Sequence, residues 1–279
     1  MTPGRLPGIE SDSVSISVRE QHLQQVLQRR QPLPFVEVMA DNYLALRGPH
    51  YRLLQQVAQR HPVVLHCVGL SLGSGGADDD YLKRLARMAS ELGAIAVSDH
   101  LSVSQLPGGR VHDLLPIRYC PEMVPPLMAA IHRIQDTTGL PFIIENISRY
   151  LAYADDCLDE GELLGELHRR TGAGVLLDIN NLYVTAHNLG LSPMALLRQF
   201  PLGAVAYCHL AGYQRRQNVL VDTHGSSVSE PVWQLYARVI AAMGPRPTII
   251  EWDNDIPPLS VLLQEADRAR SLLQRQEAI

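Results

Sequence analysis

The chain has 279 residues, 46% of them hydrophobic and 19% charged, and a formal net charge of −5 at pH 7. That balance is typical of a globular protein in water, and the acidic excess excludes the basic field that tracks nucleic acid. No run reaches the roughly 20 apolar residues of a membrane span and the N-terminus lacks an apolar signal core, so a cytoplasmic location is expected.

Residues 1–12 are rich in Pro, Gly and Ser and are expected to form a flexible arm, with residues 13–279 making one domain. From there a single pattern repeats. Short β-branched runs fall at 14–18, 35–39, 63–68, 94–98, 142–147, 174–179, 204–209 and 248–252. Segments of helical period follow each of them, at 20–30, 51–60, 80–92, 121–138, 160–171, 193–200, 228–243 and 258–274. Helix-to-strand turns are short and carry Gly or Pro, such as Gly93, Gly139-Leu-Pro141 and Gly172. The strand-to-helix loops are longer. Continuously apolar strands alternating with helices imply a parallel sheet covered on both faces. Eight such units predict closure into a (β/α)8 TIM barrel, and no G-x-G-x-x-G follows the first strand to favour a dinucleotide fold.

Active sites of such barrels lie at the C-terminal ends of the strands, and there the polar residues collect. The second strand carries Glu37, with Asp41-Asn42 beyond it, and the third ends at His66. The fourth reaches Asp99-His100, the fifth Glu145-Asn146, and the sixth Asp178 with Asn180-Asn181 following. His209 ends the seventh, whose loop adds Asp222 and His224; Glu251 ends the eighth, with Asp253 next. A chance distribution would scatter these groups over both ends of the barrel. Any one histidine alone would read as structural, as His22, His50, His61, His132 and His168 do on their helices or helix-side turns.

Strand parity sharpens the set. If His66 and His209 point inward, Cys67 and Cys208 point into the helix layer. The four cysteines (Cys67, Cys120, Cys157 and Cys208) include no CxxC, which argues against a disulfide framework. Imidazoles and carboxylates without thiolates suit iron, manganese or zinc. Four histidines with at least four carboxylates exceed the needs of one ion, so two or three metals are expected, with Glu145 as a candidate bridge.

Seven ordered motifs resemble one family, the multinuclear non-haem iron-dependent oxidative enzymes. They are Leu65-His-Cys-Val-Gly-Leu-Ser-Leu-Gly73, Ser98-Asp-His-Leu101, Ile144-Glu-Asn-Ile-Ser148 and Leu176-Leu-Asp-Ile-Asn-Asn-Leu-Tyr-Val184, then His209-Leu-Ala-Gly212, Asp222-Thr-His-Gly225 and Ile250-Glu-Trp-Asp253. The resemblance implies a barrel of the xylose-isomerase type holding two or three iron ions and using O2. It assigns the ligands to His66, His100, Glu145, Asp178, His209, Asp222, His224 and Glu251, with Asn146 and Asn181 in the same ligand-bearing motifs. Glu145, Asp178, His209 and His224 are the residues expected to carry the chemistry. Members oxidise cysteine residues of ribosomally made precursor peptides and work with a small partner protein that recognises the leader. The first-strand pattern Gly-x-Gly-Leu-Arg reads Ser15-Ile16-Ser17-Val18-Arg19 here, and Glu-Asn-Tyr reads Asp41-Asn42-Tyr43. From the residues alone, a zinc or manganese isomerase or phosphodiesterase on the same barrel, or a non-catalytic metal- or peptide-binding subunit, are the alternatives.

Overall fold

A computed structural model describes residues 5–45, 48–106 and 108–277, with all their side chains except those of His112, Gln276 and Glu277. Eight parallel strands close into a barrel: β1 (Val14–Val18), β2 (Val36–Met39), β3 (Val63–His66), β4 (Ala96–His100), β7 (Phe142–Glu145), β8 (Gly174–Asp178), β9 (Val205–Leu210) and β12 (Thr248–Ile250). The ring runs in chain order and closes where β1 pairs with β12. Two antiparallel hairpins, β5 (Ser102–Leu106) with β6 (Gly109–Pro116) and β10 (Tyr213–Arg216) with β11 (Val219–Asp222), occupy the longest strand-to-helix loops. The helices are α1 (Leu23–Gln28), α2 (Pro49–Ala58), α3 (Asp79–Leu92), α4 (Val124–Thr138), α5 (Glu160–Thr171), α6 (Ile179–Leu189), α7 (Pro193–Leu197), α8 (Glu230–Met243) and α9 (Leu259–Glu277). Among the described residues, no helix is long and apolar enough to cross a membrane.

The longer helices present a 3.6-period stripe to the sheet, as Leu82, Leu85, Met88, Ala89 and Leu92 do on α3. The predicted fourth strand starts two residues late. Gly93 closes α3 in a left-handed conformation, and the Ala94 N–H turns back to the Ala89 carbonyl at 2.9 Å, so Ala94 belongs to the cap. The barrel interior begins with an apolar floor of Phe35, Val64, Ala96, Ile143, Leu176, Ala206 and Ile249, with Tyr207 beside them. Leu6, in the segment expected to be loosely held, is buried in that floor. Cys67 and Cys208 instead pack among the helix-facing residues, as parity predicts. Burial pushes the Cys208 thiol up to about 12, which keeps it a thiol.

One helix escaped the sequence reading. α6 starts the moment β8 ends, because Asp178 Oδ1 accepts the Asn181 N–H at 2.7 Å and caps it. The predicted helix at 193–200 shrinks to the single turn of α7.

Candidate metal centre

The inward parity of seven strands lifts ionisable side chains onto one level above the floor. Glu145 on β7 is central: its Oε2 lies 3.4 Å from His66 Nε2 and 3.2 Å from His100 Nε2. Its Oε1 lies 3.7 Å from His209 Nδ1. His209 Nδ1 also approaches Glu251 Oε2 at 2.9 Å and Asp178 Oδ2 at 3.9 Å. His224 reaches Glu251 Oε2 at 3.1 Å and Asp253 Oδ2 at 3.2 Å through Nδ1, and Asp222 Oδ1 at 2.8 Å through Nε2.

These contacts resolve into three groups whose ligand atoms lie within 4.8 Å of one another: His66, His100 and Glu145; Glu145, Asp178, His209 and Glu251; His224, Glu251 and Asp253. Glu145 joins the first group to the second, and Glu251 joins the second to the third. Glu145 turns a different oxygen to each of its groups, Oε2 to His66 and His100 and Oε1 to His209, which suits a carboxylate shared between two cations, whereas Glu251 turns the same Oε2 to His209 and His224.

A second observation tests whether the residues fit metal. Glu145 Oε2, Asp178 Oδ2, His209 Nδ1 and both His224 nitrogens are buried yet make no hydrogen bond. Buried polar atoms are costly without a partner. These nitrogens and oxygens face one another closely, and once the imidazoles give up their protons their lone pairs would converge on shared space, as ligands of a cation do. The electrostatics agree. Burial pushes the Asp178 carboxyl up to about 7, with Glu145 reinforcing it and His224 opposing it. Burial works against charge on His100, but Glu145 and Asp99 outweigh it and raise the imidazole to about 9. His209 and His224 are likewise raised well above the ordinary range by their carboxylates despite burial. Protons on imidazoles thus balance the carboxylates, and metal ions would displace them.

The surrounding side chains hold this constellation. Glu37 reaches His209 from below: its Oε2 lies 3.0 Å from His209 Nε2, and its Oε1 is buried without a hydrogen-bond partner. Asp99 accepts the Leu70 N–H at 2.7 Å and sits 3.2 Å from His100 Nδ1. Asn146 pairs its amide with the backbone of Asp178, at 3.0 and 2.9 Å. Asn181 donates to Glu145 Oε1 and to the Asn146 carbonyl, and its Oδ1 accepts from Ser148. Both asparagine amides therefore brace the ends of β7 and β8. Asp222 stands beside His224 and accepts from Asn180 Nδ2 at 2.9 Å, outside the three groups. Asp253, next but one after Glu251, falls inside the third.

Arg19 was missed as a site residue. Its buried guanidinium contacts Glu251 Oε1 and Asp253 Oδ1, leaving the other oxygen of each carboxylate toward His224. Ser17, where the family pattern has glycine, accepts from Arg19 Nη1 at 2.6 Å, and Ser15 donates to the Phe35 carbonyl. The altered first strand thus spends its hydroxyls inside the barrel wall. The His224 loop is built with little tolerance. His224 has φ 42°, in the left-handed region, and its carbonyl accepts the Asp253 N–H at 2.7 Å. A Cβ on Gly212 would meet the Ser226 carbonyl oxygen at 2.2 Å, so only glycine lets that loop return over β9.

With this geometry in view, the comparisons with known proteins are decisive. Residues 13–274 match the family model described as RiPP precursor modification enzyme MbnB/TglH/ChrH. The chain belongs to that family. It is 43% identical over 269 residues to a UPF0276 protein of Chromobacterium violaceum, covering 96% of each chain. A UPF0276 protein of Rhizorhabdus wittichii is 41% identical, covering 96% of this chain and 97% of the relative. Among solved structures, endonuclease IV from Thermus thermophilus aligns over 94% of this chain and 99% of its own, with TM-score 0.57 and 17% identity. D-psicose 3-epimerase aligns over 96% and 99%, with TM-score 0.54 and 12% identity. At these identities the likeness establishes the fold, a xylose isomerase-like TIM barrel. Family membership identifies an enzyme that modifies ribosomally made precursor peptides.

Proposed function

We propose that this chain is a multinuclear iron-dependent oxidase that uses O2 to modify cysteine residues of a precursor peptide in the cytoplasm, together with a small leader-binding partner protein. The observation that carries this reading is the run of three ligand groups joined by Glu145 and Glu251, in a chain of the precursor-modifying family. His66, His100, Glu145, Asp178, His209, His224, Glu251 and Asp253 would hold two or three iron ions, with Asp222 beside His224. When bound, iron would supply redox chemistry with O2 and a Lewis-acidic site for a cysteine thiolate.

The chain's own residues do the rest. The apolar floor closes the site from below and lowers the dielectric around the charged groups on that side. Above them a cavity of about 150 Å3 is lined by Met39, His100, Tyr150, Asp222 and His224. That volume suits one side chain rather than a whole peptide. Wider clefts of about 750 and 470 Å3 flank it, and Val68 lines all three. This is the layout for an extended chain that lays one residue into the centre. At the rim, the Tyr150 hydroxyl oxygen accepts the Asp222 N–H at 3.0 Å and ties the two loops over the cavity.

The test is to load the purified protein with ferrous iron without air, add the cysteine-bearing peptide encoded beside its gene with the partner, and admit O2. The expected result is O2 uptake and a changed peptide mass. Zinc at full occupancy, no O2 uptake and an unchanged peptide would overturn the proposal.

A further inference from the structure

Beneath the ligand level lies a second, fully buried set of polar side chains that a metal centre alone does not require. Glu37 Oε2 is 2.8 Å from the Tyr207 hydroxyl and 3.0 Å from His209 Nε2. The Tyr207 hydroxyl is also 2.9 Å from Ser98 Oγ, and Ser98 Oγ is 2.9 Å from His66 Nδ1. All five residues are at most 1% exposed.

Counting hydrogens gives this chain one direction. A phenol has a single hydrogen for its two contacts. Directed at Ser98, it would leave the Tyr207 oxygen and Glu37 Oε2 facing each other at 2.8 Å with no hydrogen between them. With Glu37 as an ionised, acceptor-only carboxylate it therefore goes to Glu37, and the Ser98 hydroxyl, 2.9 Å from the Tyr207 oxygen, turns its hydrogen to Tyr207. With its hydrogen committed, Ser98 Oγ can only accept from His66 Nδ1–H. On the other branch Glu37 accepts from His209 Nε2–H. One carboxylate thus ends both branches, one directly and one through two hydroxyls.

We propose that Glu37, through Tyr207 and Ser98, is a positioning device that fixes the tautomers of two ligand imidazoles on different strands. It places a hydrogen on Nδ1 of His66 and on Nε2 of His209. The free nitrogens are then His66 Nε2 and His209 Nδ1, the atoms that face Glu145 and Glu251. The two histidines bind through opposite ring nitrogens because their supports reach them from opposite sides. Such outer partners set ligand orientation, and their loss costs roughly 10–100-fold in metal affinity. The proposal rests on reading these imidazoles as metal ligands, and on neither the iron nor the peptide.

The experiment uses the full chain, labelled with 15N-histidine and loaded with zinc as a diamagnetic probe. Long-range 1H–15N spectra report which ring nitrogen carries hydrogen, and competition with a chromophoric chelator gives affinity. The wild type is expected to show His66 protonated on Nδ1 and His209 on Nε2. Ser98→Ala and Tyr207→Phe should release the His66 tautomer and keep the His209 hydrogen on Nε2, with Ser98→Thr restoring the wild-type pattern at His66. Glu37→Gln should disturb both and weaken zinc roughly 10–100-fold. Ser98→Ala keeps the test informative if Glu37→Gln fails to fold. A His66 hydrogen on Nε2, or normal zinc binding with unchanged His66 signals in Ser98→Ala and Tyr207→Phe, overturns the proposal alone. A wild-type chain that takes up no zinc overturns the ligand reading and the proposal together.

Discussion

The floor and the mouth of this barrel are built from the same strands, and the change from one to the other takes two residues. Phe35 leads to Glu37, Val64 to His66, Ile143 to Glu145, Leu176 to Asp178 and Ile249 to Glu251. Two residues of strand rise roughly 6.6 Å and return to the same face. Within that step these five strands pass from hydrocarbon to a layer of carboxylates and imidazoles that are equally buried. The lower layer depends on shape and the upper on charge. Burial means opposite things in the two: it stabilises the first, and in the second it must be offset by protons or cations.

Substitutions in the two layers should therefore fail differently. Glu145→Gln removes the carboxylate shared by two ligand groups; it should abolish activity and cost at least one metal ion per chain while circular dichroism stays unchanged. Gly212→Ala forces the Ser226 backbone aside and with it the His224 loop. A displacement of this kind costs on the order of 100-fold in rate, read by steady-state kinetics. Ile143→Ala, in the floor directly below Glu145, should cost about 2–5 kcal/mol of stability in denaturant melts and leave metal stoichiometry intact. Cys208→Ala, adjacent to His209 but facing the helices, should cost about 1 kcal/mol and leave metal and activity as they are. Loss of metal in Cys208→Ala would break the parity argument.

The upper layer was legible in the sequence because strand ends are where a barrel gathers chemistry, and a period of two sorts inward from outward. That rule places His66, His100, Glu145, Asp178, His209 and Glu251 at one level, while His224 comes from the loop beyond β11. The supporting groups were harder to see. Ser98 and Tyr207 stand two residues before His100 and His209, so parity alone places them on the inward face, but a serine and a tyrosine carry no signal of chemistry. Arg19 contacts residues more than 230 positions away, a closure that only the pairing of the first and last strands creates. The helix after Asp178 lay outside the predicted pattern: asparagine is a poor helix-interior residue, and the cap at Asp178 overrides that preference at Asn180 and Asn181. The Tyr213–Arg216 strand was hidden by its charge, since a hairpin over the mouth buries little.

The most direct test of the account counts the metal. Titrating the metal-free protein with ferrous iron under argon, followed by Mössbauer spectroscopy and elemental analysis, should give two or three irons per chain. At least two should be magnetically coupled through shared carboxylates, and the coupling should vanish in Glu145→Gln. A single uncoupled ion per chain, retained by Glu145→Gln, would contradict it.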